Sequence, residues 1–310
     1  MAQWLLICTF VGLYIATNFT NKYVLSVLQF TFPTIFQGWQ TLVGYLLLTL
    51  VGKWQYVDRG SISKSSVKEW LPAGILYVGV IYSGSKALSK LAIPVFVIFQ
   101  NTTHNTVAFL EWAYLGKIPS FDIQFGLLWM LVSALLVLQT DPQFHVDGYI
   151  WMALHVLCSS FYTLYTTHIA KNVKLSEVNK LYCNYFIAVV ILIPLVILLG
   201  DAFYARNFPF WFYYRFHTGC VFSGIFGTFL NLSMIKLTDI LPSTSFNWMT
   251  LLARVLLTFL SFFIFEFYFT TSFLICVMSG IFSDIAYVYT RIILHDDKAT
   301  TWTPTEVESV

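Results

Sequence analysis

The sequence predicts an all-α integral membrane protein, and three observations carry that prediction. Hydrophobic residues make up 58% of the 310-residue chain and charged residues only 10%, where soluble domains usually carry about 25% charged residues. Mean hydropathy is +0.73. The apolar residues fall into segments of about 20, the length needed for a helix to cross the hydrocarbon core. They show no two-residue alternation, so helices that satisfy their own backbone bonds are expected rather than barrel strands.

Ten such segments can be placed, at approximately 3 to 25, 33 to 52, 70 to 88, 91 to 113, 121 to 139, 148 to 169, 178 to 200, 212 to 235, 240 to 264 and 268 to 292. The first closes on Thr20-Asn21-Lys22 and the third carries Lys86 near its end. The fourth holds the densest polar cluster, the seventh opens on Leu181-Tyr-Cys-Asn-Tyr185, the ninth contains Arg254 and the tenth Asp284. An even count with no large soluble domain suggests two five-helix halves, 1–147 and 148–295, followed by a polar tail at 296–310. Five spans per half makes the halves inverted repeats about an axis in the membrane plane.

The start, Met1-Ala-Gln-Trp-Leu-Leu, lacks the basic start and small-residue cleavage site of a secretory signal. The first segment is expected to be retained as an anchor. With both termini cytosolic, 11 of the 17 lysines and arginines fall on the cytosolic side, 5 on the other and 1, Arg254, inside a span. That bias follows the positive-inside rule.

A net charge of +2 spread over two membrane faces, with no basic run, excludes nucleic acid as an expected partner. The five cysteines lie inside predicted spans without metal or redox spacing, so neither metal nor cofactor is expected. Sequons at Asn18, Asn101 and Asn231 sit within apolar segments, beyond the reach of glycosylation.

Polar groups inside spans are costly, and they direct the search for a site. Gln100, Asn101, His104 and Asn105 occupy neighbouring turns. Asn101, His104 and Asn105 share one helix face, which suits either a ligand site or interhelical bonding. Tyr182 and Asn184 combine an aromatic face with an amide, a pairing suited to a nucleobase, although interfacial tyrosines are common for other reasons. Arg254 needs an anion: Glu111, Glu266, Asp284 or a ligand phosphate. Lys22, Lys86 and Arg254 together can give a cavity the positive potential that holds a pyrophosphate.

Thr20-Asn21-Lys22-Tyr-Val, Ser83-Gly-Ser-Lys86-Ala-Leu, Ile93-Pro-Val-Phe-Val-Ile-Phe-Gln-Asn101 and Glu111 resemble the first and the third-to-fourth spans of the Golgi GDP-mannose transporters. These belong to the nucleotide-sugar transporter family of the drug/metabolite transporter superfamily. The resemblance covers most of the chain and implies ten spans in two inverted repeats around a central cavity. It also implies exchange of a cytosolic nucleotide sugar for a lumenal nucleoside monophosphate, in the Golgi membrane. The family's base-reading motif Phe-Tyr-Asn-Asn falls on Leu181-Tyr182-Cys183-Asn184, keeping the tyrosine and one amide. Its Gly-Ala-Leu-Asn-Lys motif falls on Thr250-Leu251-Leu252-Ala253-Arg254, keeping only the cation. The resemblance thus gives Tyr182 and Asn184 to the base, Arg254, Lys22 and Lys86 to the phosphates and Asn101 to the ribose or sugar. Asn21, Gln100, His104, Glu111 and Asp284 stand as structural or site residues. UDP-N-acetylglucosamine is the preferred substrate, with a GDP-sugar such as GDP-mannose the alternative. Two other readings stay open: a non-transporting trafficking protein of the same fold, and a membrane-embedded transferase. The transferase is weakened because His104 and Glu111 stand about two turns apart on one helix. Membrane lipid surrounds the chain on any of these readings, and a second copy of it is a candidate partner.

Overall fold

A computed structural model describes residues 2–53, 64–170, 173–266 and 268–300. The described residues form helices and no strand: α1 (Ala2–Lys22), α2 (Pro33–Lys53), α3 (Lys64–Lys90), α4 (Ile93–Asn101), α5 (Thr103–Leu115) and α6 (Phe121–Thr140), then α7 (Val146–Leu164), α8 (Glu177–Leu198), α9 (Asp201–Ala205), α10 (Tyr214–Ile240), α11 (Ser243–Ile264) and α12 (Thr271–Thr300). Single π-helical stretches, Tyr23–Val27 and Tyr165–Ile169, prolong α1 and α7. The polar connection at 54–63 and residues 301–310 of the expected tail lie outside the described residues, and α12 already runs through 296–300.

Among the described residues, seven helices are long and apolar enough to cross a membrane. The expected third, fourth and sixth spans fall on helix but miss that measure for physical reasons. α3 carries Lys64, Lys68, Glu69, Lys86 and Lys90. The fourth is divided at Thr102 into α4 and α5, and α7 buries His155 and Ser160 in its middle.

Helix ends follow local chemistry. Pro94 sits in the first turn of α4, where its missing N–H costs nothing. Gly116, with φ +64°, closes α5 through bonds from its own N–H to Trp112 O and from Lys117 N–H to Glu111 O, the pattern of a left-handed C-terminal cap. Ser176 accepts the Asn179 N–H at the start of α8.

α3 runs along α7, α1 along α10, α2 along α8 and α6 along α12, with α11 laid across α1 and α4. The largest buried cluster joins the α3 end, α4, α6, α7, α11 and α12 through Leu91, Ile93, Val95, Val137, Met152, Leu257 and Val277. Between membrane helices the gain is close van der Waals contact and interhelical bonding rather than escape from water, since lipid tails are as apolar as leucine. Gly44 shows how close α2 and α8 come: a Cβ there would stand 2.5 Å from the Tyr185 ring.

Candidate functional site: two joined cavities in the bundle

Polar residues recur at helical spacing on three helices and so share faces. Tyr14, Thr17, Asn18 and Asn21 do so on α1, Gln37, Gln40 and Thr41 on α2, and Ser223, Thr228 and Asn231 on α10, where Gly224 and Gly227 lie on the same face. These faces, with Tyr77, Val80, Gly84 and Ser85 of α3, Gln100 of α4, His155 of α7 and Tyr185 of α8, line a central cavity of about 330 Å³. Its polar groups are amides, hydroxyls and one imidazole, and among the described residues no lysine, arginine, aspartate or glutamate lines it. Gln40 Nε2 donates to Asn21 Oδ1 at 2.8 Å and also to Ser223, and Ser223 donates to Asn21 at 2.8 Å, linking α1, α2 and α10. Gln37 donates to Ser85, and Asn231 Nδ2 donates to the Tyr185 hydroxyl at 3.1 Å.

Tyr77 and Asn231 also line a second cavity, of about 460 Å³, so the two adjoin. This one is built from the start of α3, the end of α7, the start of α8 and the end of α10: Trp70, Tyr162, Thr166, Glu177, Lys180 and Asn184 among others. Asn184 is buried with its amide fixed, accepting from Trp70 Nε1 at 2.9 Å and donating to the Tyr162 hydroxyl at 2.9 Å. Among the described residues, Lys180 is the one lysine or arginine on the walls of the two adjoining cavities. Its Nζ lies 5.4 Å from the centre of the buried Trp70 ring and 2.6 Å from Glu177 Oε1. That pair is part-exposed, so Lys180 is held loosely enough to exchange partners.

The three expected cations do not meet around this space. Lys22 is 4% exposed, and its Nζ donates to Leu88 O at 2.9 Å and Leu91 O at 2.7 Å. It thereby caps the last carbonyls of α3, where the helix dipole is negative. Lys86 stands 6.0 Å from the centre of the Tyr82 ring. Arg254 donates from Nη1 to Asn101 at 2.9 Å and from Nη2 to Asp284 at 3.1 Å. This joins α4, α11 and α12 in a seam separate from the cavity lining. Of the anions considered for Arg254, Asp284 is the one paired with it, and Glu111 pairs instead with His168 at 2.8 Å.

Within the polar cluster of the fourth segment the faces diverge. Gln100 reaches the central cavity, Asn101 turns to Arg254, and the His104 ring lies 4.9 Å from that of Tyr287 on α12. In the seventh segment Asn184 lines the second cavity, whereas the Tyr182 ring stacks on Tyr45 at 5.0 Å and Tyr185 joins Tyr14 and Tyr77 on the wall of the central cavity. Sequence reasoning missed Asn18, Gln37, Gln40, His155, Lys180 and Asn231 as wall residues. The signal that finds most of them is the three-and-four spacing of amides and hydroxyls on α1, α2 and α10.

No family profile matches the chain. It is 39% identical over 282 residues to the UDP-N-acetylglucosamine transporter TMEM241 homolog of Xenopus laevis, covering 91% of this chain and 95% of that protein. To the UDP-N-acetylglucosamine transporter TMEM241 of Mus musculus it is 40% identical over 284 residues, with the same coverage of both. A GDP-mannose transporter of Chaetomium globosum is more distant, at 23% identity over 301 residues, 90% of this chain and 76% of that protein. A cavity walled by amides, hydroxyls and aromatic rings inside a helical bundle accords with those relatives, and their identity over nine tenths of the chain places it in the nucleotide-sugar transporter family, with the transmembrane protein 241 group.

Proposed function

We propose that the protein is a Golgi antiporter that takes up a cytosolic nucleotide sugar, UDP-N-acetylglucosamine first, in exchange for lumenal nucleoside monophosphate. The observation that carries this reading is a central cavity walled by uncharged polar groups, with a neighbouring cavity that shares Tyr77 and Asn231 with it and is lined by Lys180. A neutral, hydrogen-bonding interior suits a sugar and a base, which carry donors and acceptors but no charge. Lys180 supplies the point charge for the phosphates, exchanging Glu177 for the ligand. Asn184, with Tyr162, stands where a base edge can be read, and Asn21 and Gln100 offer amides deeper in. Lys22, Asn101, Arg254 and Asp284 act by holding the helices that form the walls.

The ten-span, inverted-repeat organisation draws support from which helices pair. The rods α1, α2, α3, α4–α5 and α6 are matched in order with α7, α8, α10, α11 and α12. Under that exchange α3 on α7 becomes α10 on α1, α3 on α8 becomes α10 on α2, and α5 on α7 becomes α11 on α1, and all these pairs occur. The pairs α2 with α8, α4 with α11 and α6 with α12 map onto themselves. Two such halves can rock about a fixed central site, with both termini cytosolic. No ion gradient is required, because the outgoing monophosphate drives the incoming nucleotide sugar through differential binding to the two cavity orientations.

Proteoliposomes preloaded with UMP are expected to take up labelled UDP-N-acetylglucosamine faster than empty ones. Faster uptake of GDP-mannose into GMP-loaded vesicles would move the substrate to the guanosine class. No uptake of either, with no thermal stabilisation by any nucleotide sugar, would leave a non-transporting protein of this fold.

A further inference from the structure

A separate cavity, of about 570 Å³, lies between the end of α1 with its π-helical extension, the first half of α10 and the end of α11. It shares no lining residue with the two cavities described above. Val27, Phe222 and Ile264 on its walls are 52%, 49% and 56% exposed, so it opens outward, toward the membrane.

Its long axis follows α10. Arg215, Gly219, Phe222 and Phe226 recur at spacings of four, three and four and so fall on one helix face. The rise of the helix puts Phe226 about 16 Å from Arg215. The rings of Phe222 and Phe226 stack at 5.3 Å. Gly219 brings α10 onto the extension of α1: a Cβ there would stand 2.8 Å from Val24 Cγ2.

The two ends of this groove differ in chemistry. Arg215 is the one formal charge on its walls, and among the described residues no carboxylate pairs with it. Its guanidinium carbon lies 5.8 Å and 5.9 Å from the centres of the Tyr213 and Tyr214 rings, and its Nε donates to the Tyr214 hydroxyl at 3.2 Å. These contacts hold the guanidinium at the mouth of the groove and leave its charge unneutralised. Trp211, Phe212, Tyr213 and Tyr214 immediately precede it, with Phe212 98% exposed, and such an aromatic girdle marks headgroup depth. Arg215 thus stands at the level of lipid phosphates, and Phe226 lies within the hydrocarbon.

An occupant of this groove is long and apolar, with an anion at one end. A nucleotide sugar, polar throughout, does not fit it. A zwitterionic headgroup would bring an ammonium to walls that hold no carboxylate, beside tyrosine rings already taken by Arg215. We propose that the groove binds an anionic phospholipid of the surrounding bilayer, its phosphate on Arg215 and one acyl chain laid along α10 to Phe226. The planar guanidinium offers paired donors to the phosphate. Other faces of α1 and α10 form walls of the central cavity, so the bound lipid clasps the helix pair that shapes that wall. The assignment does not depend on the transport reading.

The test measures lipid retention by the purified full-length chain in detergent, using native mass spectrometry with phosphatidylinositol and phosphatidylcholine of the same acyl chains. The wild type is expected to hold phosphatidylinositol about fivefold more tightly, the preference that one basic residue at a membrane surface confers. Arg215→Gln, at an exposed position, removes the charge and should bring phosphatidylinositol down to the phosphatidylcholine level with the unfolding temperature unchanged. Thr218→Trp fills the groove from an exposed wall position and should weaken both lipids. Inorganic phosphate should displace neither more than chloride does at equal ionic strength, because it buries no apolar surface. Equal retention of the two lipids by the wild type, a preference that survives Arg215→Gln, or specific displacement by phosphate overturns the assignment. A dimer mass that disappears in Thr218→Trp, with no lipid retained by the wild type, gives the groove to a second copy of the chain and overturns it as well.

Discussion

The seam of α4, α11 and α12 and the cavity between α1, α2, α3, α7 and α10 treat polar groups in opposite ways. In the seam Arg254, Asn101 and Asp284 bind one another, and at the end of α3 Lys22 binds backbone carbonyls. In the cavity the groups are uncharged amides, hydroxyls and an imidazole, bonded from helix to helix as at Asn21, Gln40 and Ser223. Buried charge in a membrane protein is expected to mark function. Here the charges of the seam bond helix to helix, and the neutral polar faces line the cavity.

That contrast can be broken most forcefully at Asp284. Asp284→Ala strands the Arg254 guanidinium, and a loss of about 3–5 kcal/mol of stability is expected, read as a fall in detergent unfolding temperature. Asp284→Leu combined with Arg254→Met should recover much of it, because both charges go together. Recovery of stability with nucleotide-sugar affinity intact would place the seam outside the binding surface; a specific loss of affinity in the stable double variant would bring Arg254 back to the ligand.

Lys22→Met is expected to be the next largest, near 2 kcal/mol, since it removes charge-assisted bonds to Leu88 O and Leu91 O. The affinity of the remaining folded protein for UDP should not move. Lys180→Met should do the reverse, lowering UDP affinity about tenfold and leaving the unfolding temperature in place, since its pair with Glu177 is part-exposed. The smallest effect is expected at Lys90, whose Nζ lies 2.8 Å from Asp147. Lys90 holds the Asp147 carboxyl below the usual carboxylate range by its hydrogen bond and charge. A depressed value means stabilisation above the ordinary carboxylate pKa that is lost only as pH falls through the lower folded one. Acidification from pH 7 to pH 6 should therefore leave unfolding unchanged, and Lys90→Ala should lower the unfolding temperature only slightly, because the pair is solvent-exposed.

Helical segments were legible in the sequence because lipid demands long apolar runs, and each of the ten expected segments contains helix. Asp284 was legible as one of the anions that Arg254 could meet, beside Glu111, Glu266 and a ligand phosphate, because few anions occur inside the spans. The cavity wall was harder. Amides and hydroxyls are individually cheap in a membrane helix, and their meaning appears only when stripes on α1, α2 and α10 converge. Lys22 and Arg254 drew attention by their cost, yet a lysine at a helix end can be satisfied by carbonyls more than 60 residues away, which no local pattern reveals. Tyr182 and Tyr185 differ by three residues, and only the register of α8 against α2 decides which stacks on Tyr45 and which lines the cavity.

The central claim, that the ligand passes through the cavity on the α1, α2 and α10 faces, is tested most directly at Gly227. It lines the central cavity, and a Cβ added there meets nothing within 4 Å, so the first atom of a larger side chain enters open space. Gly227→Phe should therefore fold with an unfolding temperature close to that of the wild type and lose UDP-N-acetylglucosamine uptake into UMP-loaded proteoliposomes. Uptake at the wild-type rate by this folded variant would contradict the account.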